Sequence, residues 1–290
     1  VLGGDIADGA FMNMRTLDTI AFADDADTIY IGEAAFMGTA ALESFTLPQG
    51  VNTIGDYAFC FSGARTVDMS RAVELKSLPE FVFGECARLA RVILPDGLET
   101  VEAYAFYMAS VLTNVNIPDG VTSIGAYAFY YCARLPEINI PASVAEIGGQ
   151  AFGRCLELAL INVDSRNQTY ATYDGILYDK ELTQAYVIPA GIRGPVRIPA
   201  TMTIIPANFF NECKYLKSVV FHDNITGIGD SAFAYCTGLE TMTIGKGVTT
   251  IMGNAFAFAG NENTFISTLR RTPNTPGFRR TLSTDFRLRK

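Results

Sequence analysis

Residues 124–141 read IGAYAFYYCARLPEINIP, and the same frame recurs along the 290-residue chain. Each copy starts with Ile, Leu or Val, has Phe five residues later and, in eight of ten copies, Leu eleven residues later. The copies are mostly 23 or 24 residues apart and start at Ile6, Ile31, Ile54, Leu78, Val101, Ile124, Ile147, Ile205, Ile228 and Ile251. A unit of this length cannot enclose its own apolar side chains, so the repeat predicts stacked coils that cover one another.

The invariant Phe predicts the core of this stack. Ten of the 20 Phe residues occupy one phase of the repeat: Phe11, Phe36, Phe59, Phe83, Phe106, Phe129, Phe152, Phe210, Phe233 and Phe256. We expect their rings to form a row along the axis of the solenoid. Replacing one of them with Ala should cost about 3–5 kcal/mol, as other buried Phe-to-Ala changes do.

Each coil has a strand half and a turning half. Residues 112–117 alternate apolar and polar side chains, as a strand with one buried face does, and Pro118 ends that strand because it has no N–H for a sheet. A turn at Asp119-Gly120 and a short apolar segment follow, and Ala-Tyr-Ala-Phe at 126–129 predicts a short helical turn on the far side. The sequence therefore predicts an α/β but β-dominated solenoid of about 23-residue coils, with a long, curved parallel sheet.

The repeat motif resembles a known family. Leu-x-x-Ile-x-Ile-Pro, followed by Val-Thr-Ser-Ile-Gly-x-Tyr-Ala-Phe-x-x-Cys, is similar to the BspA-like leucine-rich repeats of bacterial surface proteins, which also occur in some protists. The resemblance covers residues 6 to 266. It implies a leucine-rich repeat solenoid, a right-handed superhelix with a parallel concave sheet, at the cell surface or outside the cell. We assign residues 1–269 to the solenoid, with a degenerate unit and an inserted strand pair at 164–203, and residues 270–290 to a C-terminal cap or basic tail.

Composition and charge exclude several classes of function. With 49% hydrophobic and 18% charged residues, the chain can bury a large core. Residues 270–290 hold seven basic residues and one acid, so the other residues hold 15 basic and 29 acidic ones, a poor match for nucleic acid. A single His excludes most catalytic triads and zinc sites, and no apolar run is long enough to span a membrane. The first residues lack the features of a signal peptide, and we expect a trimmed or processed start.

The cysteines follow the repeat. Five of the six lie eight residues after a unit start, at Cys86, Cys132, Cys155, Cys213 and Cys236. Other copies have Met, Thr, Ser or Ala there, which predicts a slot for a small, semi-polar core residue. Disulfides between neighbouring coils, Cys132 with Cys155 or Cys213 with Cys236, are the alternative, although parallel neighbours approach poorly for an S–S bond. We expect no metal and no cofactor.

Other chemically active residues are isolated. His222 takes the slot of the strand-ending Pro and is interpreted as a turn residue, and Ser231 and Ser267 lack a nucleophile-elbow setting. The acids Asp24, Asp25 and Asp27 offer too few oxygens for more than a weak calcium site. Asn167 and Asn224 begin glycosylation motifs, which matter only in a eukaryotic source.

Outward strand positions form a polar strip, which is the candidate binding surface. Asn116, Asn139 and Asn162 share one phase and should stack as a ladder. The strip comprises Arg91, Asn114, Asn116, Glu137, Asn139, Asn162, Thr241 and Thr243. It is either a solubilising face or a ligand surface on the concave side, and its few charges suit protein or glycan better than phosphate. Tyr57, Tyr104 and Tyr127 share another phase, and we interpret them as packing residues rather than a sugar-stacking row.

The resemblance and the strip together predict a non-enzymatic, adhesin-like protein, secreted or at the cell surface. It would recognise a host or neighbour-cell protein or glycan, for example in extracellular matrix. The alternative is a structural spacer that presents another module. No nucleophile, base or metal is positioned for catalysis, and we expect no nucleic-acid partner.

Overall fold

The computed structural model describes residues 2–23 and 29–260, together with the backbone of 265–268 and 286–287. The described chain is a β-solenoid whose coils are about 23 residues long, which confirms the predicted fold. It divides into two compact units, Val1–Ala171 and Thr172–Lys290. The division lies inside the stretch 164–203 that departs from the repeat. The single solenoid domain over 1–269 stays a prediction.

The first unit is built from short strands that pair in parallel, coil on coil. One set lies at the unit starts and the other at the Leu-rich half of each coil, with pairing orders β1-β3, β5-β7-β9-β11, β2-β4-β6-β8 and β10-β12. The strands are β1 (Ile29–Ile31), β2 (Phe45–Thr46), β3 (Val51–Ile54), β4 (Thr66–Asp68), β5 (Ser77–Leu78), β6 (Arg91–Ile93), β7 (Thr100–Val101), β8 (Asn114–Val115), β9 (Ser123–Ile124), β10 (Glu137–Ile140), β11 (Glu146–Ile147) and β12 (Leu160–Val163). Strand β13 (Tyr170–Tyr173) spans the boundary between the units.

The second unit repeats this plan after an antiparallel pair. β14 and β15 pair antiparallel within the predicted insertion, and β16-β18-β20-β22 and β17-β19-β21 continue the parallel pattern. β23 pairs antiparallel with β22 and is the part of 270–290 that the structure describes. The strands are β14 (Ile176–Asp179), β15 (Ala185–Val187), β16 (Pro195–Arg197), β17 (Ile204–Ile205), β18 (Ser218–Val220), β19 (Gly227–Ile228), β20 (Thr241–Ile244), β21 (Thr250–Ile251), β22 (Phe265–Thr268) and β23 (Phe286–Arg287).

The invariant Phe residues form the aromatic core of each unit. From Phe11 to Phe152, rings of successive coils stack with centroids 5.0 to 5.7 Å apart. In the second unit the Phe210–Phe233 and Phe233–Phe256 centroids are 5.1 and 5.3 Å apart. The five rings of this row from Phe36 to Phe129 are fully buried. The predicted aromatic row therefore exists within each unit.

The predicted helical turn is wrong. In all ten coils, the residues three and seven positions after the unit start have a positive φ, as Tyr127 (56°) and Tyr131 (58°) do. A helix cannot contain left-handed residues, which cost non-glycine residues roughly 1–2 kcal/mol each. None of the residues that the structure describes is helical, so the fold is β-solenoid and turn without an α component.

Hydrogen bonding between coils explains these left-handed residues. The N–H of Phe36 donates to the carbonyl of Ala58 in the next coil, at 2.8 Å, whereas the N–H of Met37 donates to Ala34 in its own coil, at 3.0 Å. A helix would direct every N–H along its own coil. The alternating turn leaves every second N–H for the next coil, so buried backbone donors on the turning half are satisfied.

Candidate functional site

The polar strip is distributed over both units. In the first unit, strand pairing places Arg91 beside Asn114 and, further along, Asn139 beside Asn162. In the second unit, Thr241 and Thr243 lie beside Ser218 and Val220. Glu137 pairs with Leu160, an exposed apolar side chain. The first unit therefore holds six of the eight candidate residues, and it also contains a cleft beside Asn139 and Asn162.

The expected asparagine ladder contains one amide–amide hydrogen bond. Asn162 Nδ2 donates to Asn139 Oδ1 at 2.9 Å, across the β10–β12 pair. Asn116 does not continue the ladder in the described structure, because it lies beyond the end of β8 and its Oδ1 accepts instead from the N–H of Leu94, at 3.5 Å. In parallel strands the paired amides cannot satisfy all their groups with each other, so the pair keeps donors and acceptors for a ligand.

A cleft of about 270 Å³ opens at the carboxyl ends of β10 and β12, next to this asparagine pair. Its lining combines amides, carboxylates and apolar side chains: Ile117, Asp119, Asn139, Ile140, Pro141, Asn162, Val163 and Asp164. The guanidinium of Arg166 lies 2.7 Å from Asp164 Oδ2 and holds that carboxylate in place. Such a mixed surface can hydrogen-bond hydroxyls or peptide groups over an apolar floor.

A buried amide fixes the wall of the cleft. Asn167 Nδ2 donates to the carbonyls of Pro141 (2.9 Å) and Val144 (2.8 Å), and its Oδ1 accepts from the N–H groups of Thr169 and Tyr170. This amide ties the segment after β12 to the preceding coil. Asn167 is fully buried, so the folded protein does not offer it as a glycosylation acceptor, whereas Asn224 is exposed.

The cysteine slot is a hydrogen-bonding position in the core. All six cysteines are buried free thiols, which excludes the two suggested disulfides. Four of these thiols donate to the carbonyl of the core Phe one coil earlier: Cys86 (3.1 Å), Cys132 (3.3 Å), Cys155 (3.1 Å) and Cys236 (3.0 Å). Burial raises the pKa of the Cys86 thiol to about 11 and that of Cys155 to about 12. These thiols are structural groups rather than nucleophiles.

The two other candidates that the structure describes, His222 and Ser231, do not assemble into a reactive site. His222 Nε2 lies 2.9 Å from the Pro199 carbonyl and its Nδ1 accepts from the N–H of Asn224, so the ring closes a strand end. Ser231 Oγ donates to Asp230 at 3.0 Å. In the part of the chain that the structure describes, no three His, Cys, Asp or Glu side chains converge on a metal site, and no helix could cross a membrane. Asp24, Asp25, Asp27 and the Ser267 side chain lie outside the described residues.

The stacked coils, the aromatic row and the cleft define a repeat protein of the leucine-rich solenoid class. The chain belongs to the family of the BspA type leucine rich repeat region, whose profile matches in six copies over residues 4–132, 60–183 and 195–275. No curated protein matches it in sequence.

Solved structures of bacterial surface and repeat proteins share the fold. A leucine rich cell surface protein from Faecalibacterium prausnitzii is 26% identical, with a TM-score of 0.58 over 91% of this chain and 76% of that one. The pneumococcal vaccine antigen PcpA is 20% identical, with a TM-score of 0.63 over 92% and 72% of the two chains. A leucine-rich repeat protein from Bacteroides ovatus is 19% identical, with a TM-score of 0.54 over 93% and 84%.

Proposed function

We propose that this chain is a non-enzymatic binding protein, secreted or at the cell surface, that recognises a protein or glycan of a host or neighbouring cell in an adhesin-like manner. Family membership supports a binding role, and the similar Faecalibacterium protein is described as a cell surface protein. The acidic composition supports a partner other than nucleic acid.

The cleft beside Asn139 and Asn162 is the observation that carries this proposal. It lies on the polar strip, so its position agrees with the surface that the repeat pattern singles out. Its amides donate and accept, Asp119 and Asp164 accept, and Ile117 and Val163 supply apolar contact. Hydroxyl-rich glycans and peptide groups both match this set, and neither requires a catalytic group.

The test compares two variants of the intact chain on immobilised collagen, laminin and mucin. Asn139→Ala with Asn162→Ala removes both ladder amides and should weaken binding about tenfold, since each lost hydrogen bond costs about 1 kcal/mol or more. Asn211→Ala, an exposed amide outside the strip, is the control and should bind like the unchanged protein. Unchanged binding by a folded double variant would contradict the proposed site. Absence of binding by the unchanged chain to all three would favour the structural spacer.

A further inference from the structure

The turning halves of the first six coils in the first unit form a second surface, which we call the turn face. It consists of residues 5–13, 30–38, 53–61, 77–85, 100–108 and 123–131, on six successive coils. These segments contain no Lys, Arg or His, but they contain seven acids: Asp5, Asp8, Glu33, Asp56, Glu80, Glu85 and Glu102. Arg65 and Arg88 lie on another part of this unit, beside Glu43, and Lys76 lies beside Glu99. The turning half of the seventh coil, 146–154, holds the exposed Arg154 and is not part of the turn face.

The carboxylates of the turn face are ordered but not neutralised. Asp8 Oδ1 accepts the N–H of Glu33 at 2.8 Å, and Asp56 Oδ1 accepts the N–H of Glu80 at 3.0 Å, so each aspartate is tied to the next coil. Glu102 accepts from two neighbouring hydroxyls. Among the described residues, none of the seven acids has a salt bridge, and all except the half-buried Glu80 are exposed. Like charges repeated from coil to coil repel one another, which favours association with cations.

Two rows of aromatic rings lie beside these acids. The first row stacks Tyr57, Phe81, Tyr104 and Tyr127, with successive centroids 5.0, 4.6 and 5.1 Å apart. The second row stacks Tyr107 on Tyr130 at 5.5 Å and meets the first row edge to face. All six rings are half-buried. Stacking covers the faces between neighbouring rings of a row, which leaves ring edges and tyrosine hydroxyls for contact with a partner. Contiguous exposed aromatic surface with a polar border marks interaction sites.

The negative charges of the turn face act on Tyr57, at the start of the first row. Partial burial and then the negative charge of Glu80 raise the pKa of Tyr57, so its hydroxyl stays protonated and available as a donor. The surface therefore offers donors, apolar area and fixed anions together.

We propose that the turn face docks an arginine- and lysine-rich segment of a partner protein. Cationic side chains would pair with the uncompensated carboxylates, and their aliphatic stems would cover the ring edges. Charge complementarity determines the class of partner, because the six coils of the turn face hold no basic residue and Arg154 lies on the coil after them. This surface is separate from the polar strip, so one chain could hold both ligands.

The test uses the intact chain, a labelled oligoarginine peptide and matched variants. Asp56→Asn with Glu80→Gln removes two charges but keeps the oxygen that accepts the Glu80 N–H. We expect it to weaken peptide binding about tenfold at physiological ionic strength. Glu74→Gln with Glu157→Gln removes two exposed acids outside the turn face and should change binding less than about twofold. Tyr104→Ser with Tyr127→Ser should also weaken binding, although it leaves the net charge unchanged.

Three results would overturn the assignment. The first is an equal loss in both charge variants, which means general attraction to an acidic protein. The second is no peptide binding at physiological ionic strength. The third is self-association of the unchanged chain, if the peptide disrupts it and the Asp56→Asn with Glu80→Gln variant lacks it. The occupant of the turn face would then be the basic residues of 270–290 in a second copy. Urea unfolding of each variant verifies that it is folded.

Discussion

Phe129 shows how much a single core residue contributes to the stability of the fold. Its ring is fully buried and stacks on Phe106 at 5.0 Å and on Phe152 at 5.5 Å. Phe129→Ala should lower the free energy of unfolding of the first unit by about 3–5 kcal/mol, because it removes a buried ring and leaves a cavity between two coils. Urea denaturation measures the change. Phe61→Ala, whose ring is 44% exposed, is the matched control and should cost far less. Equal losses would contradict an aromatic core.

At the left-handed positions, we expect glycine to give a more stable protein than alanine. Glu85 is exposed and has a φ of 55°, a conformation that glycine adopts without strain. Glu85→Gly should be more stable than Glu85→Ala by about 1 kcal/mol, because both variants lose the carboxylate and only Gly relieves the backbone strain. Thermal and urea unfolding of the two variants measure this difference. A more stable Ala variant would contradict the assigned turn.

For single residues, the sequence predicts where a side chain lies better than it predicts which hydrogen bonds that side chain makes. The eight-residue spacing placed the cysteines in the core, but the slot accepts Met and Ala as well, so the pattern alone did not reveal the bond to a Phe carbonyl. Likewise, the shared phase of the asparagines predicted a ladder. Whether Asn116 joins it depends on where β8 ends, which side-chain periodicity does not determine.

At the scale of elements, an ion pair joins the insertion to the repeat. Asp174 lies in the turn between β13 and β14, and Arg197 lies on β16. Asp174 Oδ2 accepts from the backbone N–H of Arg197 (2.8 Å) and from its Nε (3.1 Å), and Asp174 Oδ1 accepts from its Nη2 (2.9 Å). These side-chain hydrogen bonds, the largest cause, lower the pKa of Asp174 despite its partial burial. The contact stabilises the ionised carboxylate of the folded state.

This pair gives the stability of the second unit a defined pH dependence. A depressed folded pKa means that the stabilisation is complete above the ordinary carboxyl pKa of about 4 and is lost as the pH falls below it. Arg197→Met should therefore destabilise the second unit at pH 7 and do so much less in acid, where the unchanged protein has lost the same contribution. Urea unfolding of both proteins across this pH range measures the difference. A cost that stays constant into acid would show that packing of the Arg stem, rather than the charge, is responsible.

The prediction of a helical turn failed because hydrogen bonds between coils determine the backbone conformation there. Alternation identified the strands because one face of each is buried, and spacing identified their parallel stacking. Ala-Tyr-Ala-Phe has good helical residues, but their N–H groups must alternate between their own coil and the next, and this requirement overrides local preference. The cleft depends on the segment after β12, where Asn167 fixes a path that lies outside the regular repeat.

At the scale of the whole molecule, the cysteines report how the chain unfolds. Cys60, Cys86, Cys132 and Cys155 belong to the first unit, and Cys213 and Cys236 belong to the second. Burial raises the pKa of Cys60 and of Cys236 to about 12, so thiolate is scarce near neutral pH and the folded protein should react with no maleimide. Reaction then requires unfolding.

Because each unit has its own stacked core, we expect two sets of reactive thiols as urea increases. The cysteines of one unit should become labelled together, since stacked coils unfold cooperatively with their neighbours, and the two sets should have different midpoints. Pulse labelling with N-ethylmaleimide followed by peptide mass spectrometry resolves each site, and glutathione added to every sample controls for reagent activity. Phe129→Ala should shift the first set to lower urea and leave Cys213 and Cys236 unchanged. A common shift of all six sites would mean that the two units unfold as one.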